Sequence, residues 1–196
     1  IGIRGGRIDR SADITLMEDG ILIAPAPYSS PQAYFFPRIE RMEGVEVSKG
    51  AASIQYGPRT TNGAINMLTK RVPDVATANA SFALGNYGGI RNGLEAGNSY
   101  TTNAGNFGVF ATAYNEASDG FKEQDVVGGD TGFNLQDYMG KLRWKSDASA
   151  SIYQELQFKV GYGEENANET YLGLTSEDFA ANPFRRYAAA QLDTFD

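Results

Sequence analysis

Two stretches decide the fold of the first third of the chain: Val45-Glu46-Val47-Ser48-Lys49-Gly50 and Gly63-Ala64-Ile65-Asn66-Met67-Leu68-Thr69-Lys70. Each contains a short run of β-forming residues next to a glycine, so strands are predicted at residues 45–48 and 64–68. This part of the chain is therefore expected to mix short strands with turns.

Working outward, three further features extend this pattern toward the N-terminus. The turn Glu18-Asp19-Gly20 lies between two apolar runs, which predicts a β-hairpin. Residues 25–31 form a proline-rich loop, and residues 37–42 are long enough for one helical turn. The remaining fixed points are Ile3-Arg4-Gly5 and Tyr56-Gly57.

Composition excludes several classes of function. The 196 residues include 23 glycines but no cysteine and no histidine. Disulfides, thiolate metal sites and histidine bases are therefore absent, and the sequence predicts neither an enzyme nor a resident cofactor or metal. The net charge is −7, and the excess acid follows Pro73, which argues against a nucleic-acid partner.

The pattern changes near Arg71-Val72-Pro73, so we predict domains at residues 1–73 and 74–196. The second part shows five segments in which apolar and polar residues alternate. Apolar residues mark their faces as follows: Ala78, Ala80, Phe82 and Leu84; Ile90, Leu94 and Ala96; Phe107, Val109, Ala111 and Ala113; Tyr138, Leu142 and Trp144; Ile152, Leu156, Phe158, Val160 and Tyr162.

This alternation has two interpretations. Period two over about ten residues is typical of a transmembrane β-strand, with one face toward lipid and the other toward a polar lumen. It also fits a soluble antiparallel sheet that packs one face on a core. Considered alone, the strands favour the soluble sheet.

The motifs of residues 1–70, in their order and spacing, resemble the second half of the plug domain of TonB-dependent outer-membrane receptors. The resemblance favours the membrane interpretation and implies a mainly β fold: the C-terminal part of a plug, then about five antiparallel strands of an incomplete transmembrane β-barrel of about 22 strands. It implies a bacterial outer-membrane location, contact with outer-membrane lipid, and an energising TonB-type inner-membrane complex that acts through a missing N-terminal segment. The chain is thus expected to be a fragment of a transport receptor.

Two segments resemble the ferric citrate receptors of that family: residues 23–32 at the plug apex, and residues 168–175 with 182–189 in an outer loop. The implied ligand is a ferric chelate, with iron as cargo rather than cofactor. We predict ligand contacts from the following residues: Pro25, Pro27, Tyr28, Ser29, Ser30, Gln32, Arg185 and Arg186. Two alternatives stay open, namely a receptor for another siderophore and a soluble β-rich binding or adhesion module. The two arginines could also simply balance nearby loop acids.

Other basic residues are assigned to contacts between plug and barrel. By resemblance, Arg4 and Lys49 pair with barrel glutamates, although lysine at the second position lacks the two-pronged geometry of arginine. From the strand pattern, four lumen-facing cations are expected to bridge barrel wall and plug: Arg91, Lys141, Arg143 and Lys145.

Overall fold

A computed structural model describes residues 13–23, 36–57, 60–124, 128–168 and 173–187. The chain divides into two compact units, residues 1–71 and 72–196. The domain limits predicted from the sequence stay a prediction.

The first unit contains a four-stranded sheet with the strand order β2-β1-β4-β3. Its strands are β1 (Ile14–Glu18), β2 (Ile21–Leu22), β3 (Met42–Ser48) and β4 (Gly63–Thr69), and short 3-10 helices cover Ile39–Arg41 and Gly50–Tyr56. The predicted hairpin is confirmed: β1 and β2 pair antiparallel, and the turn places Asp19 (φ 50°) and Gly20 (φ 80°) in the left-handed region. Tight hairpins favour that backbone because its twist matches the strands.

β1 and β4 form the centre of this unit. They run parallel, with Ile14 opposite Gly63 and Glu18 opposite Met67. All five residues of β1 are buried, and the apolar cluster comprises Ile14, Leu16, Ile65 and Met67. A buried ion pair closes the end of β1, where Arg41 Nη2 lies 2.5 Å from Glu18 Oε2 and both side chains are 7% exposed.

The second unit is an antiparallel sheet whose five strands follow sequence order. They are β5 (Thr77–Leu84), β6 (Ile90–Thr102), β7 (Gly105–Ser118), β8 (Phe133–Lys145) and β9 (Glu155–Ala167). The mainly β fold and the five alternating strands predicted from the sequence are confirmed. The fifth strand begins later than predicted, since Ile152 lies before β9 in an exposed connection.

The two faces of this sheet differ strongly in exposure. On β8, inward Asp137, Met139 and Lys141 are each 3% exposed, whereas outward Leu142 is 56% exposed. The outward face of the sheet carries many exposed apolar side chains: Phe82, Leu84, Leu94, Tyr100, Phe107, Val109, Leu156, Phe158, Val160 and Tyr162. Phe110 and Tyr114 are aromatic residues at positions of β7 where alternation favours polar side chains, and both point inward and are buried.

Candidate functional site

The candidate site in the outer loops is built around α1 (Ser176–Ala181), a short helix that follows β9. Thr175 caps it, because its hydroxyl accepts from the Asp178 amide at 3.1 Å and donates to the Asp178 carboxylate at 2.8 Å. That carboxylate also accepts from Arg185 Nη1 at 3.1 Å. Asp178 therefore fixes the helix start and the position of the predicted ligand arginine together.

Backbone hydrogen bonds join this segment to the long connection between β7 and β8. The Glu123 amide donates to the Phe184 carbonyl at 2.7 Å, and the Arg186 amide donates to the Glu123 carbonyl at 2.9 Å. The Asn182 side-chain amide donates to the Glu123 carboxylate at 2.9 Å. The two loops are thus held side by side.

The two predicted ligand arginines differ in accessibility. The Arg185 side chain is 20% exposed and lies beside Asp178, so one edge of its guanidinium is already used by an acid of the same loop. Arg186 is 8% exposed and belongs to the packed interior of this loop pair. Of the two, Arg185 is the side chain that an incoming anion can reach.

A second contact fixes the base of the long loop. The Asp130 carboxylate accepts from the Gly132 amide at 3.1 Å and from the Asn168 side-chain amide at 3.0 Å. These hydrogen bonds hold the pKa of Asp130 below its usual range, since both stabilise the ionised form. Asp130 thereby ties the end of the loop to the residue that follows β9.

The other predicted site residues have simple placements. The ligand residues between Pro25 and Gln32, together with Arg4, lie outside the described residues. Lys49 is exposed directly after β3. All these assignments stay predictions.

The four inward cations also have defined positions. Arg91 pairs with Glu116 on the neighbouring strand at 2.6 Å. Lys141 is buried and Lys145 is partly buried. Arg143 contacts residues 72–74, an arrangement that the alternating pattern of β8 could not reveal.

The part of the chain that the structure describes has no helix long and apolar enough to cross a membrane. Among the same residues, no three carboxylates come together as a candidate metal site.

Comparison with known proteins identifies the domain type of the first part of the chain. Residues 1–64 match the family model described as TonB-dependent Receptor Plug Domain. This match confirms the resemblance to a plug domain that the motifs of residues 1–70 indicated.

Solved structures with a similar fold are receptors of this family. The ferric citrate transporter FecA in its unliganded form aligns over 94% of this chain and 27% of its own, with 20% identity and a TM-score of 0.68. The ferripyoverdine receptor of Pseudomonas aeruginosa aligns over 77% and 19%, with 18% identity and a TM-score of 0.58. The siderophore receptor PirA from Acinetobacter baumannii aligns over 79% and 24%, with 15% identity and a TM-score of 0.54. The chain thus spans about a quarter of the length of the solved receptors it matches.

Proposed function

We propose that this chain is part of a receptor that imports ferric citrate across the outer membrane, powered by a TonB-type inner-membrane complex. Iron enters as the cargo of the chelate and is not a cofactor of the protein. The plug and the barrel strands provide the gate and part of the wall, and the outer loops provide part of the capture site.

The extent of the structural likeness supports the choice of citrate. The ferric citrate transporter aligns over 94% of the chain, whereas the ferripyoverdine receptor and PirA align over 77% and 79%. The apex motif at residues 23–32 and the outer-loop motif at residues 168–175 support the same ligand.

The chemistry of Arg185 supports an anionic cargo. A guanidinium presents paired N–H donors that match a carboxylate, and such charge-assisted hydrogen bonds are about twice as strong as neutral ones. Asp178 holds this donor set in place at the surface of the loop pair. A citrate carboxylate that reaches the exposed part of Arg185 meets a guanidinium that Asp178 already orients, which lowers the entropic cost of binding.

Uptake of labelled iron by cells that carry the complete receptor tests the proposal. We expect uptake from ferric citrate, little uptake from unrelated ferric siderophores, and loss of uptake in cells without the energising complex. Uptake of a different chelate would exclude citrate but keep the receptor class. If no ferric chelate is taken up despite verified surface display, the proposed iron transport is wrong.

A further inference from the structure

The segment that leaves the first unit and enters β5 lies against the inner face of the second unit. We call residues 72–74 the linker segment. Val72 is 3% exposed and packs in an apolar cluster with Phe110 and Met139. A linker on the surface would be solvated, so burial of this valine shows that the segment has a defined binding position on the sheet, which we call its seat.

Arg143 provides the polar part of that seat. Its Nη1 donates to the Val72 carbonyl at 3.0 Å, and its Nη2 donates to the Asp74 carboxylate at 2.7 Å. Nη2 also lies 3.0 Å from Ser99 Oγ and 3.2 Å from Asn106 Oδ1. One guanidinium therefore joins the linker segment to polar groups on β6 and β7.

Ser99 completes the polar contacts. Its hydroxyl donates to the Pro73 carbonyl at 2.7 Å while it also accepts from Arg143. Pro73 has no N–H group, so it adds no buried donor that the sheet would have to satisfy. Proline also restricts the preceding Val72 to extended backbone.

Two glycines make room for the linker segment. A Cβ on Gly97 would lie 2.8 Å from Pro73 Cγ and Cδ, and a Cβ on Gly108 would lie 2.5 Å from Val72 Cγ1. Real Cβ atoms do not approach so closely, so a side chain at either position would collide with the wild-type segment. Gly140 on the outward face is different, because a Cβ there meets only Val160 Cγ1 at 3.7 Å.

We propose that Arg143 is a positioning residue that keeps the linker segment fixed to the barrel wall throughout the transport cycle. This inference rests on the proposed function. During transport the plug then moves or unfolds only upstream of Val72. When it returns, the linker segment is still in its original position on the barrel wall. Arg143 needs no contact with the cargo for this role.

A disulfide between V72C and G108C tests the proposal in the complete receptor. The chain has no cysteine of its own, and V72C removes the Cγ1 atom that a Cβ at position 108 would meet, so the two sulfur atoms can take up that space as a bond. We expect the disulfide to form on oxidation and the uptake of labelled ferric chelate to stay within about twofold of the reduced variant. Loss of uptake on oxidation, restored by reductant, would show that the segment must leave the wall. Failure of the two cysteines to cross-link would contradict the seat itself.

Arg143→Met tests the arginine separately, with Arg91→Met as the matched inward control. In a V72C receptor, Arg143→Met should speed maleimide labelling of the buried cysteine about tenfold or more, since charge-assisted hydrogen bonds contribute about 1.5–3 kcal/mol. Arg91→Met should leave the labelling rate unchanged. Uptake should fall several-fold in Arg143→Met and recover when the V72C–G108C disulfide is formed, a rescue that a general folding role would not give.

Equal labelling rates in the wild-type and Arg143→Met backgrounds would exclude a role for Arg143. Labelling and cross-linking need no chelate, so they decide whether Arg143 holds the linker segment on the sheet even if the proposed cargo is wrong. Labelling decides this even if the double cysteine variant fails to reach the membrane, because it uses V72C alone.

Discussion

At the scale of single residues, the loop pair shows how one carboxylate can serve two purposes. Asp178 caps α1 through Thr175 and orients Arg185. The spacing Thr175-Ser176-Glu177-Asp178 is an N-terminal capping signature, so the helix could have been predicted from the sequence. The pairing with Arg185 could not, because it depends on how the chain turns after Asn182.

The partial exposure of the Arg185 side chain leads to a prediction for ligand binding. Arg185→Gln should weaken the capture of ferric citrate about 10- to 100-fold, the effect of losing charge-assisted hydrogen bonds of about 1.5–3 kcal/mol. Titration of the purified complete receptor with ferric citrate measures this affinity. Arg71→Gln is the control, since that exposed arginine pairs with Glu43 within the first unit. An unchanged affinity in Arg185→Gln would remove Arg185 from the capture site.

At the scale of elements, the hydrogen bonds that the Asp130 carboxylate accepts from Gly132 and Asn168 should be lost at low pH. Its pKa is lowered, so its contribution to holding the loop is complete above about 3.9, the ordinary aspartate value, and is lost as pH falls through the lower folded value. Carboxyl-carbon NMR of labelled aspartate, assigned with Asp130→Asn, measures the midpoint. Asn168→Ala should move that midpoint upward. A midpoint that Asn168→Ala leaves unchanged would mean that this amide does not stabilise the carboxylate.

The outward face of β9 gives a second prediction at this scale. Val160 is 58% exposed on the apolar band, and Val160→Arg should cost about 2–4 kcal/mol if that band lies near the bilayer midplane. Denaturant titration of the receptor folded into lipid vesicles measures the loss. Gln157→Arg places the same side chain on the inward face of the same strand and should cost much less. Equal costs for the two variants would contradict the lipid-facing assignment.

Local patterns predicted most of the elements, and the failures have a common cause. The five long strands and the β1–β2 hairpin follow from alternation and turn chemistry within a few residues. The parallel pairing of β1 with β4 joins residues about 50 positions apart, which no local pattern encodes. The inward Phe110 and Tyr114 broke the expected polarity of β7, because that face packs on Val72 and bonds Glu95 rather than meeting water.

At the scale of the whole molecule, the second unit has two open edges. Among the residues that the structure describes, β5 and β9 each pair on one side only, and both carry exposed apolar side chains. Unpaired edges with an apolar face favour association with other chains.

The candidate site could be predicted only in part from the sequence. Arg185 could be singled out as a ligand candidate from its charge, but its accessibility could not be predicted, because it depends on a contact with Glu123 in another loop.

The open edges predict the behaviour of the 196-residue chain when it is produced alone. We expect aggregation in aqueous buffer and dependence on detergent, because the outward face and both edges have no partner in this sheet. Size-exclusion chromatography with light scattering measures this. A monodisperse monomer with a cooperative melt in plain buffer would instead favour a soluble module and contradict the membrane-facing role of the apolar band.

The parallel pair at the centre of the first unit has a mechanical consequence. A pull applied upstream of Ile14 loads β1 at its start, while a chain end held at Val72 loads β4 at its finish. Two parallel strands pulled from opposite ends are loaded in shear, so their hydrogen bonds share the load and yield together rather than opening one after another. Asp19 adds to this resistance, since its carboxylate accepts from both the amide and the hydroxyl of Thr69 at the end of β4. Under tension between Ile14 and Val72, β1 and β4 should therefore separate abruptly and together rather than residue by residue.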